Sequence, residues 1–179
     1  MKRFAIYFFC LMGFAAFVAC KPNQEQLKDE IMQMEDSMID LSYALDSNTA
    51  NHIVGLYLKY ADAFPKDSLA PVYLFKAADV MASVGKIDST IICLDRIVDE
   101  YPNFEDLGGC YFLKGYVYES YERFDEAKAA YQLFVDEFPD HPLAADTRAM
   151  LPYIGMSPDQ MLEQVLAKSE ETALALSQK

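Results

Sequence analysis

The stretch Phe134-Val135-Asp136-Glu137-Phe138-Pro139 has two earlier counterparts, Ile97-Val98-Asp99-Glu100-Tyr101-Pro102 and Tyr60-Ala61-Asp62-Ala63-Phe64-Pro65. The prolines stand 37 residues apart both times. Self-similarity at a fixed period of about 20 to 50 residues marks a repeat array, in which each unit buries its apolar face only against its neighbours. Proline donates no hydrogen bond and keeps the residue before it out of the α region, so each aromatic–proline pair reads as the end of a helix.

Working outward from those ends, the apolar spacing is helical. Ile87, Ile91, Leu94, Ile97 and Val98 form a stripe of period 3.6. Apolar residues crowd one side from Val72 to Val84, and Gly85 then breaks the run. Gly108 to Tyr121 and Phe124 to Phe138 repeat the layout. Each unit is a helix, a tight turn, a second helix and a proline, and no alternating strand pattern competes. Gly115 sits within a helical run, flanked by Leu113, Tyr116 and Val117. Glycine there costs ~1 kcal/mol against alanine, so close approach of a neighbouring helix is the simplest reason for it. Ala78 and Ala127 read in the same way, with Ala127 expected to face Gly115.

When Pro102 and Pro139 are aligned, Ala78 matches Gly115, Met81 matches Tyr118, and Leu94 matches Tyr131; Thr90 stands where the last unit has Ala127. Small residues at helix crossings, aromatics beside them and proline after the second helix resemble the tetratricopeptide repeat, whose unit is about 34 residues. The unit ending at Pro65 is degenerate, with bulky Leu41 and Ile53 where small residues are usual. The resemblance implies an all-α solenoid of about three helical hairpins with a C-terminal capping helix. Its expected division is a first repeat over 27–65, a second over 66–102, a third over 103–140 and a cap over 141–179.

The two ends shape that expectation. Leu27, Ile31, Met34, Met38, Leu41 and Leu45 follow a four–three spacing. They read as the first helix of the degenerate repeat, with a short coiled coil as the competing reading. Ser157-Pro158-Asp159-Gln160 has the form of a capping box with proline at the first helical position. The helix it opens carries Met161, Leu162, Val165 and Leu166 on one face, expected to close the open end of the array, since a solenoid needs a capped end.

Residues 1–19 read as an export signal. Lys2 and Arg3 precede an apolar run from Phe4 to Val18, and polar residues follow Cys20 at once. The run is shorter than the ~20 residues of a spanning helix. Phe17-Val18-Ala19-Cys20 resembles the lipobox of bacterial lipoproteins, with phenylalanine where leucine is usual. The resemblance implies acylation of Cys20 and cleavage before it, leaving a tether over 20–26. The competing reading is an ordinary signal followed by a coincidental cysteine. Lys21 after the cysteine, rather than the aspartate linked with inner-membrane retention, favours the outer membrane; the side is left open.

The chain has 179 residues, with 15 Lys and Arg against 28 Asp and Glu, a net charge of −13. Loss of residues 1–19 removes two cations and no acid, leaving −15. Nucleic-acid binding wants clustered cations and is excluded on that ground. Glycine and proline number only 7 and 8 and half the chain is apolar, which argues for a packed domain over disorder. His52 and His141 lie far apart, and no metal, phosphate-loop or nucleophile motif is present. An enzyme is therefore not expected, nor a cofactor. His141 reads as a polar turn residue, and Cys93 and Cys110 as two free, buried thiols.

What remains is a binding surface. In tetratricopeptide repeats the first helix of each unit lines a concave groove, and the resemblance carries that role to Val72, Phe75, Asp79, Ala82 and Ser83, and to Gly109, Phe112, Tyr116, Glu119 and Ser120. Phe75, Asp79, Phe112, Tyr116 and Glu119 are the candidate peptide-groove residues, while Ala78, Gly115, Tyr118, Ala127 and Tyr131 are assigned to repeat packing. The lysine and asparagine used elsewhere in the family to grip a C-terminal carboxylate are replaced by Phe75 and Asp79, then Phe112 and Tyr116. An apolar or weakly basic peptide fits better. Whether these aromatics face a ligand or fill the core is open. The implied function is a lipid-anchored protein-interaction module, similar to subunits of outer-membrane assembly machines, whose partner is an envelope protein or peptide. The alternative is a self-associating structural lipoprotein that uses the Leu27–Leu45 seam.

Overall fold

The computed structural model describes residues 22–39 and 46–177. The export signal, Cys20 and the Leu41–Leu45 end of the apolar seam lie outside the described residues. Those described form eight α-helices and no strand: α1 Gln24–Ile39, α2 Ser47–Ala63, α3 Leu69–Ser83, α4 Ile87–Glu100, α5 Leu107–Ser120, α6 Phe124–Glu137, α7 Ala144–Met150 and α8 Pro158–Ser177. A 3₁₀ turn, Leu151–Tyr153, follows α7. From α1 to α7 each helix packs on the next, so α1–α2, α3–α4 and α5–α6 are stacked hairpins.

The aromatic–proline pairs do what their chemistry requires. Phe64, Tyr101 and Phe138 close α2, α4 and α6 with nearly one backbone geometry, φ −129, −131 and −127° with ψ 55, 60 and 58°. Each sits outside the α region because a proline follows. Each still donates its N–H to the carbonyl four residues back, Tyr60, Ile97 and Phe134, at 2.9 Å. The bends then repeat bond for bond. Asp67, Phe104 and His141 donate backbone N–H to Phe64, Tyr101 and Phe138, and Ala70, Leu107 and Ala144 donate back to Asp67, Phe104 and His141. Because the third bend has the same form, α7 occupies the place of a first helix in a fourth, truncated unit.

The turns inside the hairpins also match. Lys86 donates its N–H to Met81 O, and Arg123 to Tyr118 O, both at 2.9 Å. This six-residue closure needs a left-handed residue at the helix end. Gly85 supplies it with φ 78° and Glu122 with φ 58°. The continuous core runs from Leu27 and Ile31 on α1 through Ile53, Tyr60, Leu74, Ala78, Leu94 and Ile97 to Cys110 on α5. Two smaller clusters flank α6, one around Ala127, Tyr131 and Ile154, the other around Phe134, Val135 and Ala144.

Leu27 and Ile31 are 2% and 1% exposed and belong to the core, so the described part of the Leu27–Leu45 seam packs inside the fold as the first helix of the array, the reading preferred over a coiled coil. Three expectations need correction. Helix α1 already begins at Gln24, inside the stretch 20–26 read as tether, because Asn23 Oδ1 accepts from the N–H groups of Glu25 and Gln26 and caps it. Ala127 is not the residue Gly115 faces. A Cβ on Gly115 would lie 2.4–2.7 Å from the Tyr131 ring, so the glycine makes room for that ring. Finally, α8 does not close the array. Ser157 and Gln160 form the expected reciprocal cap. Yet Met161, Leu162, Val165 and Leu166 are exposed, and the last hairpin is covered by α7, Leu151 and Ile154 instead.

Candidate interaction face

The first helices of the units, α1, α3 and α5, form one row of the solenoid and the second helices another. Helices α3 and α5 pack on each other directly. Across the first row, Glu35 on α1 pairs with Lys76 on α3 at 2.8 Å. In the second row, Arg96 on α4 reaches Asp62 on α2 at 2.6 Å through its guanidinium and also holds Glu100 within its own helix. On the resemblance drawn from the sequence the first-helix row is the inner one, and the direct contact of α3 with α5 agrees with that.

Glu35 is the polar centre of the inner row. Its Oε1 accepts from Lys76 Nζ and from the Tyr57 hydroxyl at 2.7 Å. Burial and then the Glu35 hydrogen bond push the Tyr57 phenol well above its ordinary range, so it stays a donor. Lys76 also lies over the Tyr73 ring, 5.9 Å from its centroid. These residues tie α1, α2 and α3 together. An ion pair across 41 residues leaves no local signal in the sequence. The one hint is register: with the prolines aligned, Glu35 falls where Val72 and Gly109 stand in the later units.

The candidate groove residues divide. Asp79 and Tyr116 are exposed, Tyr116 at 54%. Phe75 is half-buried, its ring 6.3 Å from that of Phe104. Phe112 is half-buried as well and packs between Tyr131 and Phe134, with centroids at 5.5 and 5.6 Å, so much of its ring serves the core of the last hairpin. Glu119 is engaged by the Tyr131 hydroxyl, which donates to its Oε2 at 3.0 Å. Burial, with that bond second, raises the Tyr131 phenol. Of the packing residues, Ala78, Ala127 and Tyr131 are 0–1% exposed. Gly115 is buried beside Tyr131, and Tyr118 is half-buried under the Arg123 guanidinium at 4.7 Å.

The lower edge of the array carries the bends. There Gln24 Nε2 donates to the Tyr60 hydroxyl and to Asp67 Oδ2, pinning the start of α1 against the first bend. The Leu69 N–H, helped by Gln24, holds the Asp67 carboxyl below its usual value. A cleft of about 510 Å³ lies between the first and second bends, lined by Pro65, Pro71, Val72, Tyr101, Pro102 and Phe104 with several polar neighbours. At the third bend His141 Nδ1 accepts from the Leu143 N–H while its ring meets Phe134 edge-on, a turn residue as expected. Cys93 and Cys110 are buried, free thiols. Burial raises both, Cys110 to about 12. Among the described residues no group of His, Cys, Asp and Glu is placed to hold a metal ion.

Stacked antiparallel hairpins with an inner and an outer helix row define a helical-repeat solenoid, a class that binds along its inner surface. Residues 110–141, nearly all of α5, α6 and the bend after them, match the tetratricopeptide repeat family. Residues 110–141 are thus similar to a tetratricopeptide repeat, a unit that serves protein–protein interaction. No curated protein matches the chain.

Proposed function

We propose that the protein is a lipid-anchored interaction module on a bacterial membrane, the outer one by preference, serving an envelope assembly or maintenance complex. The observation that carries the membrane half is Phe17-Val18-Ala19-Cys20 after a charged, apolar leader. Among the described residues no helix is long and apolar enough to cross a membrane, so attachment on this reading is through lipid. Buried methylenes contribute ~0.8 kcal/mol each, so two or more acyl chains hold firmly where one binds marginally.

Three residues separate Cys20 from the start of α1 at Gln24, and each spans at most ~3.6 Å. Because Gln24 is bonded to the first bend, the edge carrying the aromatic–proline bends lies toward the bilayer. The inner row then runs past the membrane with Asp79 and Tyr116 free to meet a protein partner. The test is acyl labelling of the native chain and of Cys20→Ser in a bacterial host. The native chain takes up labelled fatty acid and is processed, and the serine variant does neither. Labelling of the serine variant, or none of the native chain, rejects the anchor.

A further inference from the structure

Helix α8 is amphipathic, 20 residues long, and without an extensive packing partner among the described residues. Leu162, Val165 and Leu166 are 60, 50 and 54% exposed, with Met161 beside them. Helices in proteins draw most of their stability from an apolar face packed on something rather than from intrinsic propensity. The body does not supply that surface, since α7, Leu151 and Ile154 already cover the last hairpin.

The charges around the seam narrow what does. Asp159, Glu163 and Glu170 share the face of Leu162, Leu166 and Ala167. Over its whole length α8 carries Asp159, Glu163, Glu170 and Glu171 against Lys168. A second copy would set these acids against their own kind, on chains already at −13. A bilayer surface attracts helices whose polar face is rich in Lys and Arg, the reverse of this one. Charge complementarity instead fits a protein surface with an apolar seam or groove and a basic rim, the mode in which an amphipathic helix lies in a groove.

We propose that α8 is a second docking element, separate from the inner face, whose occupant is a basic-rimmed apolar surface of a partner protein. It rests on the reading of the chain as an interaction module and not on the lipid anchor. The probe is a synthetic amphipathic helical peptide with a leucine seam flanked by lysines, and a twin flanked by glutamates. Fluorescence anisotropy with the full chain should show the lysine peptide binding at least tenfold more tightly. Leu162→Asp with Leu166→Asp should cut that binding at least tenfold. These substitutions add negative charge, so general attraction of a cationic peptide would strengthen, and only loss of the seam weakens it. Ile92→Ala, an exposed residue of α4 outside both surfaces, should leave binding unchanged.

Equal binding of the two peptides overturns the proposal, as does indifference to the aspartate pair. Loss with Tyr116→Ala instead of the α8 pair also overturns it and leaves the interaction-module reading standing, with the inner face as the site. Sedimentation that shows a dimer abolished by the aspartate pair overturns it in favour of a second copy.

Discussion

In the α3–α4 hairpin, Ala78 and Leu94 are fully buried; 37 residues on, the α5–α6 hairpin has Gly115 and Tyr131 in their places. The two hairpins share their turn hydrogen bonds and their closing geometry. Volume has moved across the interface between the helices. The larger ring on the second helix of the last hairpin is admitted by removing the Cβ from the first. Thr90 and Ala127 make a companion pair. Thr90 is fully buried and directs its hydroxyl to Lys86 O at 3.0 Å and toward Ala78 O at 3.4 Å, whereas Ala127 carries nothing to satisfy. The lesson is that the repeat conserves the space between its helices while the residues that fill it trade size.

That trade reaches the surface. Tyr131 is long enough to hold Glu119, which leaves Tyr116 as the exposed aromatic of the last inner helix. Leu94 has no polar end, and the middle helix shows an acid, Asp79. One backbone thus presents two different inner surfaces.

The strongest way to break the comparison is through Phe75 and Phe112, which occupy matching places. Phe112 lies between two rings, Phe75 near one. Phe112→Ala should cost less than the ~3–5 kcal/mol typical of buried Phe→Ala changes, because its ring is half-buried, and Phe75→Ala less still, read as urea midpoints. Equal losses would mean that the rings are equivalent and the last hairpin has no special core.

A smaller effect is expected at the turns. Glu122 holds φ 58° where its counterpart is glycine. A side chain in the left-handed region costs roughly 1–2 kcal/mol, so Glu122→Gly should raise the melting temperature. Gly85→Ala should lower it, since its Cβ would also meet the Tyr121 hydroxyl at 2.8 Å. A Glu122→Gly variant no more stable than the native chain would show that the two turns are not equivalent.

The thiols probe the boundary between the two hairpins with little effect on stability. Cys93 and Cys110 lie on α4 and α5 in the same core. With both pKa values raised, they stay neutral thiols at pH 8 and gain reactivity only as pH climbs toward about 12 for Cys110. Mass spectrometry should find both unbridged, and alkylation should be slow until denaturant is added. A Cys93–Cys110 bridge in the native chain would contradict the two free thiols of this structure.

Much of this fold can be read in the sequence, for a physical reason. Proline acts on its own neighbour, so Pro65, Pro102 and Pro139 mark their bends whatever the tertiary context. Glycine inside a helix signals a close approach, and Gly115 is one. The sequence assigns Tyr131 to packing but does not say that its ring is what approaches Gly115, which only the fold shows. Amphipathicity has the same limit at α8, because a stripe of Leu162, Val165 and Leu166 shows that a face is apolar, not what covers it. On the inner face, Phe112 and Tyr116 are one helical turn apart and look alike in sequence. Their fates differ because Phe134 and Tyr131, from another helix, claim the first ring and leave the second exposed.

The trade of volume between helices is tested most directly by a double-mutant cycle that gives the last hairpin the filling of the middle one. Gly115→Ala alone should destabilise by ~1–3 kcal/mol, as overpacked cores do. Tyr131→Leu alone should destabilise by losing ring contacts and the bond to Glu119. Together they recreate the pairing of Ala78 with Leu94, and their combined loss should fall short of the sum by at least ~1 kcal/mol, within the range seen for residues in contact. Losses that add to within ~0.5 kcal/mol would contradict the account, because residues that share one space cannot be independent.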